Sequence, residues 1–201
     1  MSRAAKGPTM STVLPPRDAV TRARTTTGHW EIDSQTTTLA VRMRVLGVPV
    51  HGRFVHVTGL IDIPHDITRS RVSVTVRSDS FQSGRPSHDG WAKSAAFLDA
   101  AAYPELSFHA TGLRPITDSV MTEQGDRPLW WLPGLMTARD VTGPLRLALG
   151  VVRVSDDGTE LRFDATARLR RSDFGVTRMR GLIGDVVDLV VRGRARRHAI
   201  G

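Results

Sequence analysis

The feature that most constrains the fold is a strict alternation of apolar and polar residues near the C-terminus. From position 163 to 169 every second residue is apolar: Phe163, Ala165, Ala167 and Leu169. A period of two is typical of a β-strand with one face buried and the other in water. Such a strand needs other elements to cover its apolar face, so this segment predicts a larger β-structure.

The same alternation recurs along much of the chain. Its other apolar rows are Leu39, Val41, Met43 and Val45; Val72, Val74 and Val76; Leu106, Phe108 and Ala110; and Leu145, Leu147, Leu149 and Val151. Residues 52–63 and 187–196 are predicted as further strands, and turn residues at 47–49 and 156–158 connect neighbours. About eight strands joined mostly by short turns predict an all-β fold, an eight-stranded antiparallel barrel.

One connection is long and is not predicted to be a strand. Between residues 78 and 105 the alternation stops, and the residues from Ser87 to Asp89 are predicted to cap a short helix that reaches Phe97. Pro104 prevents this helix from continuing. Long connections in β-domains are commonly functional, so we expect a lid or a lining element here.

Composition and charge narrow the classes of function. The net charge is +8, there is no cysteine, and aromatic residues make up 5% of the chain. Disulfides and thiolate metal sites are thereby excluded, and the aromatic platform of single-strand nucleic-acid binders is missing. With no signal-peptide pattern and no apolar run of 18 residues, we expect a cytoplasmic protein without a transmembrane segment. We further expect a disordered basic leader over 1–27 and one barrel domain over 28–197.

No catalytic or metal-binding pattern emerges from the sequence. Ser87, His88 and Asp89 are adjacent, whereas a catalytic triad is assembled from separate segments. His51 and His56 are predicted to face opposite sides of a strand, which disfavours a shared metal. We therefore predict no catalytic residue, no metal and no cofactor, and a hydrolase using His88 and Asp89 remains an alternative.

Four segments of the chain resemble the YceI-like family. They are residues 30–33 with 52–54, residues 80–99 with 103–108, residues 136–145, and the R-S-D-F-G motif at 171–175 with 184–187. The R-S-D-F-G motif is the most specific of them. Departures from the family pattern occur at 88–92, where Asp89 is kept, and at Asp140, which replaces a glycine. The resemblance implies a lipocalin-like barrel that binds isoprenoids or other long apolar molecules.

On this resemblance we predict that the chain binds, transports or stores an isoprenoid or another long-chain amphipathic, fatty-acid-like lipid in the barrel lumen, without catalysis. The candidate ligand-binding residues are Val45, Phe54, Phe81, Trp91, Phe97, Phe108, Trp130, Phe163 and Phe174. Trp130 and Trp131 are adjacent, so only one of them can face inward on a strand. We predict that the other belongs to a homodimer contact or a membrane-facing patch.

A second hypothesis stays open at this point. The barrel could be solidly packed and act as a stress-response or interaction module whose arginine-rich surface binds acidic partners. No specific nucleic acid is expected as a partner. The arginines between positions 192 and 197 fit this hypothesis, but they also fit a solvated edge strand that is protected by charge.

Overall fold

The computed structural model describes residues 27–116, 130–179 and 181–198 of the 201-residue chain. The predicted leader lies outside the described residues apart from Thr27. No helix in the described part is long and apolar enough to cross a membrane.

The described chain is almost entirely β-structure, with one short α-helix and three single 3₁₀ turns. The strands are β1 (Gly28–Ile32), β2 (Thr38–Val45), β3 (Val48–Phe54), β4 (Val57–Ile63), β5 (Arg71–Arg77), β6 (Phe81–Gln82), β7 (Glu105–Thr111), β8 (Arg114–Pro115), β9 (Trp130–Ala138), β10 (Val141–Val154), β11 (Glu160–Arg170) and β12 (Val186–Arg197). The helix α1 spans Pro86–Lys93, and the 3₁₀ turns span Ile67–Arg69, Ser78–Ser80 and Arg171–Phe174.

Eight antiparallel strands close into a barrel. The order is β1-β4-β5-β7-β9-β10-β11-β12, and β12 pairs with β1 to complete the circle. The strands β2, β3 and β6 extend this barrel: β12 pairs with β1 through residues 195–197 and with β2 through residues 188–192. β3 and β6 follow β2 in the same sheet. The predicted eight-stranded antiparallel barrel is confirmed.

The first hairpin turns one residue earlier than predicted. Its central residues are Leu46 and Gly47, both with positive φ (50° and 79°), and β3 already starts at Val48. Positive φ at both central positions matches the right-handed twist of the flanking strands, and Gly47 adopts it without steric cost. The predicted turn over 47–49 was therefore placed one residue too late, and Leu46 lies at the tip of the hairpin.

The predicted strands over 52–63 and 145–151 are both irregular. The first is interrupted between Phe54 and Val57, where the backbone N–H of His56 donates to Ser80 Oγ at 3.3 Å. In the second, the register between β10 and β11 shifts after Leu149, so that Val152 pairs with Phe163. Simple alternation did not predict either irregularity, because bulges and bends depend on the partner strand.

The helix is shorter than predicted. It begins after Arg85 with Pro86 in its first turn, and it ends at Lys93 instead of reaching Phe97. Ser87, His88 and Asp89 lie inside the helix, so their prediction as caps was wrong. Proline fits the first helical position because the N–H that it lacks would have no helical partner there.

Buried apolar side chains form three clusters along the barrel. The largest fills the barrel wall and includes Phe54, Phe108 and Leu132, all less than 9% exposed. A second cluster lies at one end, around Trp30 and Leu161. A third and smaller cluster lies at the opposite end and consists of Phe97, Val176 and Ile183.

Candidate ligand-binding cavity

The barrel encloses a cavity of about 370 Å³. The predicted inward rows of β2, β5, β7, β10 and β11 supply most of its wall, which is apolar almost throughout. The polar side chains of the wall are His51, Ser70, Ser83, His88, Ser107 and Arg171. A volume of this size falls in the range of small-molecule pockets, and a dominant apolar lining with few polar groups is typical of such sites.

The sequence leaves this space because its inward positions carry few large rings. Alanines at positions 138 and 165 are buried in the wall. Two aromatic rings that do line the cavity lie against glycines: Phe81 faces Gly52, and Phe108 faces Gly134. A side chain at either glycine would collide with the ring, so these glycines leave room for both rings at the wall.

One end of the cavity is closed by large buried side chains. Trp30 and Ala195 have no exposed surface, and Leu161 is 1% exposed. The guanidinium of Arg197 lies 4.4 Å from the centre of the Trp30 ring and covers it from outside. Ile32 and Ile63 complete this seal.

The cavity reaches the surface at the opposite end. Among the residues that line it, only His51 and Trp91 are classed as exposed. β3 pairs with β6 through Arg53 and Phe54 alone, which leaves residues 48–52 without a described partner on the side that faces the helix. We call this opening between β3 and α1 the portal.

The segment that covers the portal, residues 83–103, is held by a few contacts; we call it the lid. Arg139, in the β9–β10 turn, donates from Nη1 to the carbonyl of Phe97 at 3.5 Å, and its Nη2 lies 3.9 Å from Asp99. Its guanidinium also lies over the Tyr103 ring, 5.6 Å from the centre. Trp91 packs on Phe97 with ring centres 5.2 Å apart. The lid therefore covers the opening through side-chain packing and not through a strand ladder.

The R-S-D-F-G motif organises the loop beside the portal. Arg171 is 5% exposed and donates four hydrogen bonds to backbone carbonyls, those of Val176, Arg178, Ile183 and Gly184, over 2.7–3.1 Å. The N–H and hydroxyl of Ser172 donate to Asp185, at 3.0 and 2.8 Å. These hydrogen bonds from Ser172 lower the pKa of the Asp185 carboxyl. Phe174 of the same motif lines the cavity.

A family model described as the YceI-like domain matches residues 30–195. This chain belongs to the YceI-like family. A UPF0312 protein of Enterobacter sp. (strain 638) is 26% identical over 124 residues, which cover 60% of this chain and 59% of that protein. Protein YceI of Salmonella arizonae is 25% identical over 124 residues, or 60% of each chain. The chain thus spans about three fifths of the length of these curated relatives.

Solved YceI-like structures share the barrel. Burkholderia cenocepacia BcnA superposes with a TM-score of 0.68 at 17% identity, covering 81% of this chain and 98% of that one. A polyisoprenoid binding domain from Saccharophagus degradans gives 0.62 at 14% identity, covering 84% and 98%. The Campylobacter jejuni YCEI protein gives 0.56 at 19% identity, covering 74% and 85%. At these identities the likeness establishes the fold.

The structure of this YceI-like chain brings most of the predicted site residues together. Eight of them line the cavity: Val45, Phe54, Phe81, Trp91, Phe97, Phe108, Phe163 and Phe174. Trp130, at the start of β9, is half-buried and is not part of the wall. Its neighbour Trp131 lies under the Arg146 guanidinium, 4.2 Å from the ring centre.

Sequence reasoning missed Arg171 and His51 as parts of the site, whereas Trp91, the other exposed residue of the wall, was predicted. The sequence suggested only a metal-binding role for His51. In the structure His51 is an exposed residue of β3 that lines the cavity at the portal. The R-S-D-F-G motif was recognised as specific without a role for its arginine. The available signal was the position of Arg171 directly after an alternating strand, inside a specific motif. A guanidinium that is buried at such a position needs several hydrogen-bond acceptors, which the neighbouring loop can supply.

In the alternative hydrolase, the carboxylate would come from Asp89 and the imidazole from His88. Asp89 accepts hydrogen bonds from the N–H and hydroxyl of Ser83, at 2.7 and 2.6 Å, and these lower the pKa of its carboxyl. His88 is half-buried in the cavity wall. Within the described ranges, no three His, Asp or Glu side chains are grouped as metal ligands.

Proposed function

We propose that this protein binds an isoprenoid or another long-chain amphipathic lipid in its barrel cavity and transports or stores it unchanged. The observation that carries this proposal is the cavity of about 370 Å³ with an apolar wall, closed at one end and open at the other. Burying a hydrocarbon chain gains roughly 0.8 kcal/mol per CH₂, so a ten-carbon chain supplies about 8 kcal/mol before the costs of association and ordering.

The shape and polarity of the cavity support one orientation of the ligand. At the open end, His51 and His88 are the imidazole groups of the wall. The far end is formed by Trp30, Leu161 and their apolar neighbours. The tail therefore points to the closed end, and the polar head lies at the portal, where it stays hydrated or accepts a hydrogen bond.

The likeness to a protein described as a polyisoprenoid binding domain supports the isoprenoid class. Apolar contacts discriminate poorly between chains that differ by one methylene, so a range of tail lengths is expected. The proposal assigns no chemical conversion, since the carboxylate beside His88 is engaged by Ser83. A cytoplasmic location and a homodimer remain predictions from the sequence.

The alternative function, an interaction module, requires a barrel whose interior is filled by side chains. A packed interior would leave no volume larger than a few water molecules, whereas the barrel encloses about 370 Å³. The arginine-rich outer face is compatible with either function, whereas the apolar cavity supports the lipid-binding one.

The decisive experiment fills the cavity from a buried alanine. Ala165 is 3% exposed and lines the cavity from β11, and Ala165→Phe would place a ring in the space of the tail. We expect the affinity for a prenyl alcohol, followed by native mass spectrometry, to fall at least about tenfold, because a ring displaces several methylenes. The matched control is Ala40→Phe, an exposed alanine on β2, which should bind as the parent does.

Two results would overturn the proposal. The first is equal affinity in Ala165→Phe and Ala40→Phe, with both variants folded by circular dichroism. The second is repeated purification of the protein from its own host without any apolar molecule in organic extracts or native mass spectra.

A further inference from the structure

Exposed large apolar side chains are concentrated around the portal. Leu46 is 70% exposed, Val48 62%, and Leu182 47%. Trp91, Met179 and Val186 are also exposed at this end, whereas Leu60 and Leu135 lie on the side of the barrel. Grouped exposure of this kind marks interaction surfaces, while scattered exposed residues need no explanation.

Backbone contacts join these side chains into one surface. The N–H of Leu46 donates to the carbonyl of Leu182 at 2.7 Å, and the N–H of Gly184 donates to the carbonyl of Arg44 at 2.8 Å. A β-bridge also connects Val45 with Ile183. The tip of the β2–β3 hairpin and the loop residues 176–179 and 181–185 therefore form a single ridge beside the portal. We call Leu46, Val48, Met179 and Leu182 the portal rim.

The portal rim is accompanied by positive charge. The Nη1 of Arg44 donates to the carbonyl of Gly47 at 3.0 Å, which places an exposed guanidinium at the hairpin tip. Arg178 is exposed next to Met179 on the loop. Asp185, the carboxylate at the base of the same loop, accepts hydrogen bonds from Ser172. The chain as a whole carries a net charge of +8.

We propose that the portal rim docks on an anionic lipid surface. Apolar side chains flanked by arginines suit the boundary between headgroups and acyl chains, and arginines near an anionic leaflet are attracted to its negative surface potential. The position beside the portal adds a physical reason: an apolar cargo that leaves the cavity here enters hydrocarbon without crossing water. That reason rests on the proposed function, whereas the docking itself does not.

A second copy of the chain fits this surface less well. In a two-fold symmetric contact the same patch faces itself, so Arg44 and Arg178 would approach the same arginines of the other copy. Like charges brought together in this way oppose association. An anionic membrane instead complements both the apolar and the charged parts of the rim.

The test measures binding of the full chain to vesicles by flotation. Vesicles of phosphatidylglycerol and phosphatidylcholine in equal parts should bind the protein, and vesicles of phosphatidylcholine alone should bind it much less. We expect the double variant Leu46→Glu/Leu182→Glu to weaken binding roughly tenfold or more. The matched control is Leu60→Glu/Leu135→Glu, which makes the same chemical change on the side of the barrel.

A second pair of variants tests the charge without touching apolar residues. Arg44→Gln/Arg178→Gln should weaken binding to the anionic vesicles, and raised salt should weaken binding of the parent protein. Docking is overturned if the rim and side variants bind alike. It is also overturned if the protein does not bind vesicles and forms instead a concentration-dependent dimer that the rim variant abolishes.

The two proposals fail in distinguishable ways. Ala165→Phe should lose prenyl alcohol and keep vesicle binding, whereas the Leu46→Glu/Leu182→Glu variant should keep prenyl alcohol and lose vesicle binding. Loss of both activities in the rim variant, with its fold intact, would contradict a separate docking surface.

Discussion

At one end of the barrel Trp30 has no exposed surface and Leu161 has 1%, while at the other end Leu46 and Val48 are 70% and 62% exposed. The same kinds of side chain build both ends, but they lie on different elements: β1 and β11 at the closed end, and the β2–β3 hairpin at the open end. At the closed end the apolar residues are removed from water and stabilise the fold. At the open end they remain in water, which costs stability and leaves a surface for binding.

The difference follows from how each end is joined. At the closed end β12 pairs with both β1 and β11, so the hydrogen-bond ladder is continuous, and Arg197 covers Trp30. At the open end β3 pairs with β6 only at Arg53 and Phe54, and beside residues 48–52 the lid replaces the ladder through side-chain contacts. Segments held in this way open at a lower free energy than continuous ladders.

The largest expected effect is at the closed end. Trp30→Ala removes a fully buried ring from the seal and should lower the free energy of unfolding by about 3–5 kcal/mol, through lost burial and the cavity left behind. Urea unfolding measures this change. A loss below about 1 kcal/mol would show that the closed end does not carry the stability that we assign to it.

The next largest effect concerns Arg171. Arg171→Met leaves four carbonyls of the portal loop without their donor and should cost roughly 3 kcal/mol, since hydrogen bonds to charged groups are stronger than neutral ones. Hydrogen exchange should speed up in residues 176–184 before the closed end changes. Arg170→Met, at an exposed neighbouring position, is the control, and equal loss in both variants would contradict this role.

Acid should act on the open end through two carboxylates. Hydrogen bonds from Ser172 and from Ser83 lower the pKa of Asp185 and of Asp89 below the ordinary value of 3.8. Because the folded-state pKa is lowered, the stabilisation is full above pH 3.8 and is lost as the pH falls through the folded-state value. Thermal unfolding and hydrogen exchange against pH should show this loosening, and Asp185→Asn should reduce it.

The closed end offers a comparison for the same experiment. Hydrogen bonds from Ser155 and Thr159 lower the pKa of Asp157 to about 2. The β10–β11 turn should therefore keep its hydrogen bonds down to about pH 2. Asp140→Asn, in the exposed β9–β10 turn, is the control substitution. If thermal unfolding of Asp185→Asn depends on pH as that of the parent protein does, Asp185 does not contribute to the loosening of the open end in acid.

The smallest expected effect is at the lid. Trp91 is 44% exposed, so Trp91→Ala should change the free energy of unfolding by less than about 1 kcal/mol. The same variant should weaken binding of a prenyl alcohol, because Trp91 lines the cavity at the portal. A loss of stability comparable with that of Trp30→Ala would abolish the contrast between the two ends.

Much of the barrel wall was predictable from alternation alone. The rows Val72, Val74 and Val76, and Phe163, Ala165 and Leu169, line the cavity as expected, because a period of two decides which side chains share a face. The R-S-D-F-G motif and its companion segments indicated the family, and the family model over residues 30–195 confirms it.

Features that depend on distant partners were not predictable in this way. The wall continues at Val152 because β11 imposes a register shift on β10. Trp130 lies outside the wall although its segment is a strand, and the helix ends before Phe97 because Ser94 bonds back to the carbonyl of Trp91. Leu46 is exposed because the first hairpin turns one residue earlier than predicted, which places Leu46 in the turn.

The sequence by itself determined most of the strands and their inward faces, since these depend on local periodicity and on short turns. Only the tertiary structure decided that the interior is open, where it reaches the surface, and which apolar residues stay in water. Volume and closure depend on how eight strands are tilted and staggered around a common axis and on how side chains from opposite walls meet. Those relations join residues far apart in the chain, and no local pattern contains them.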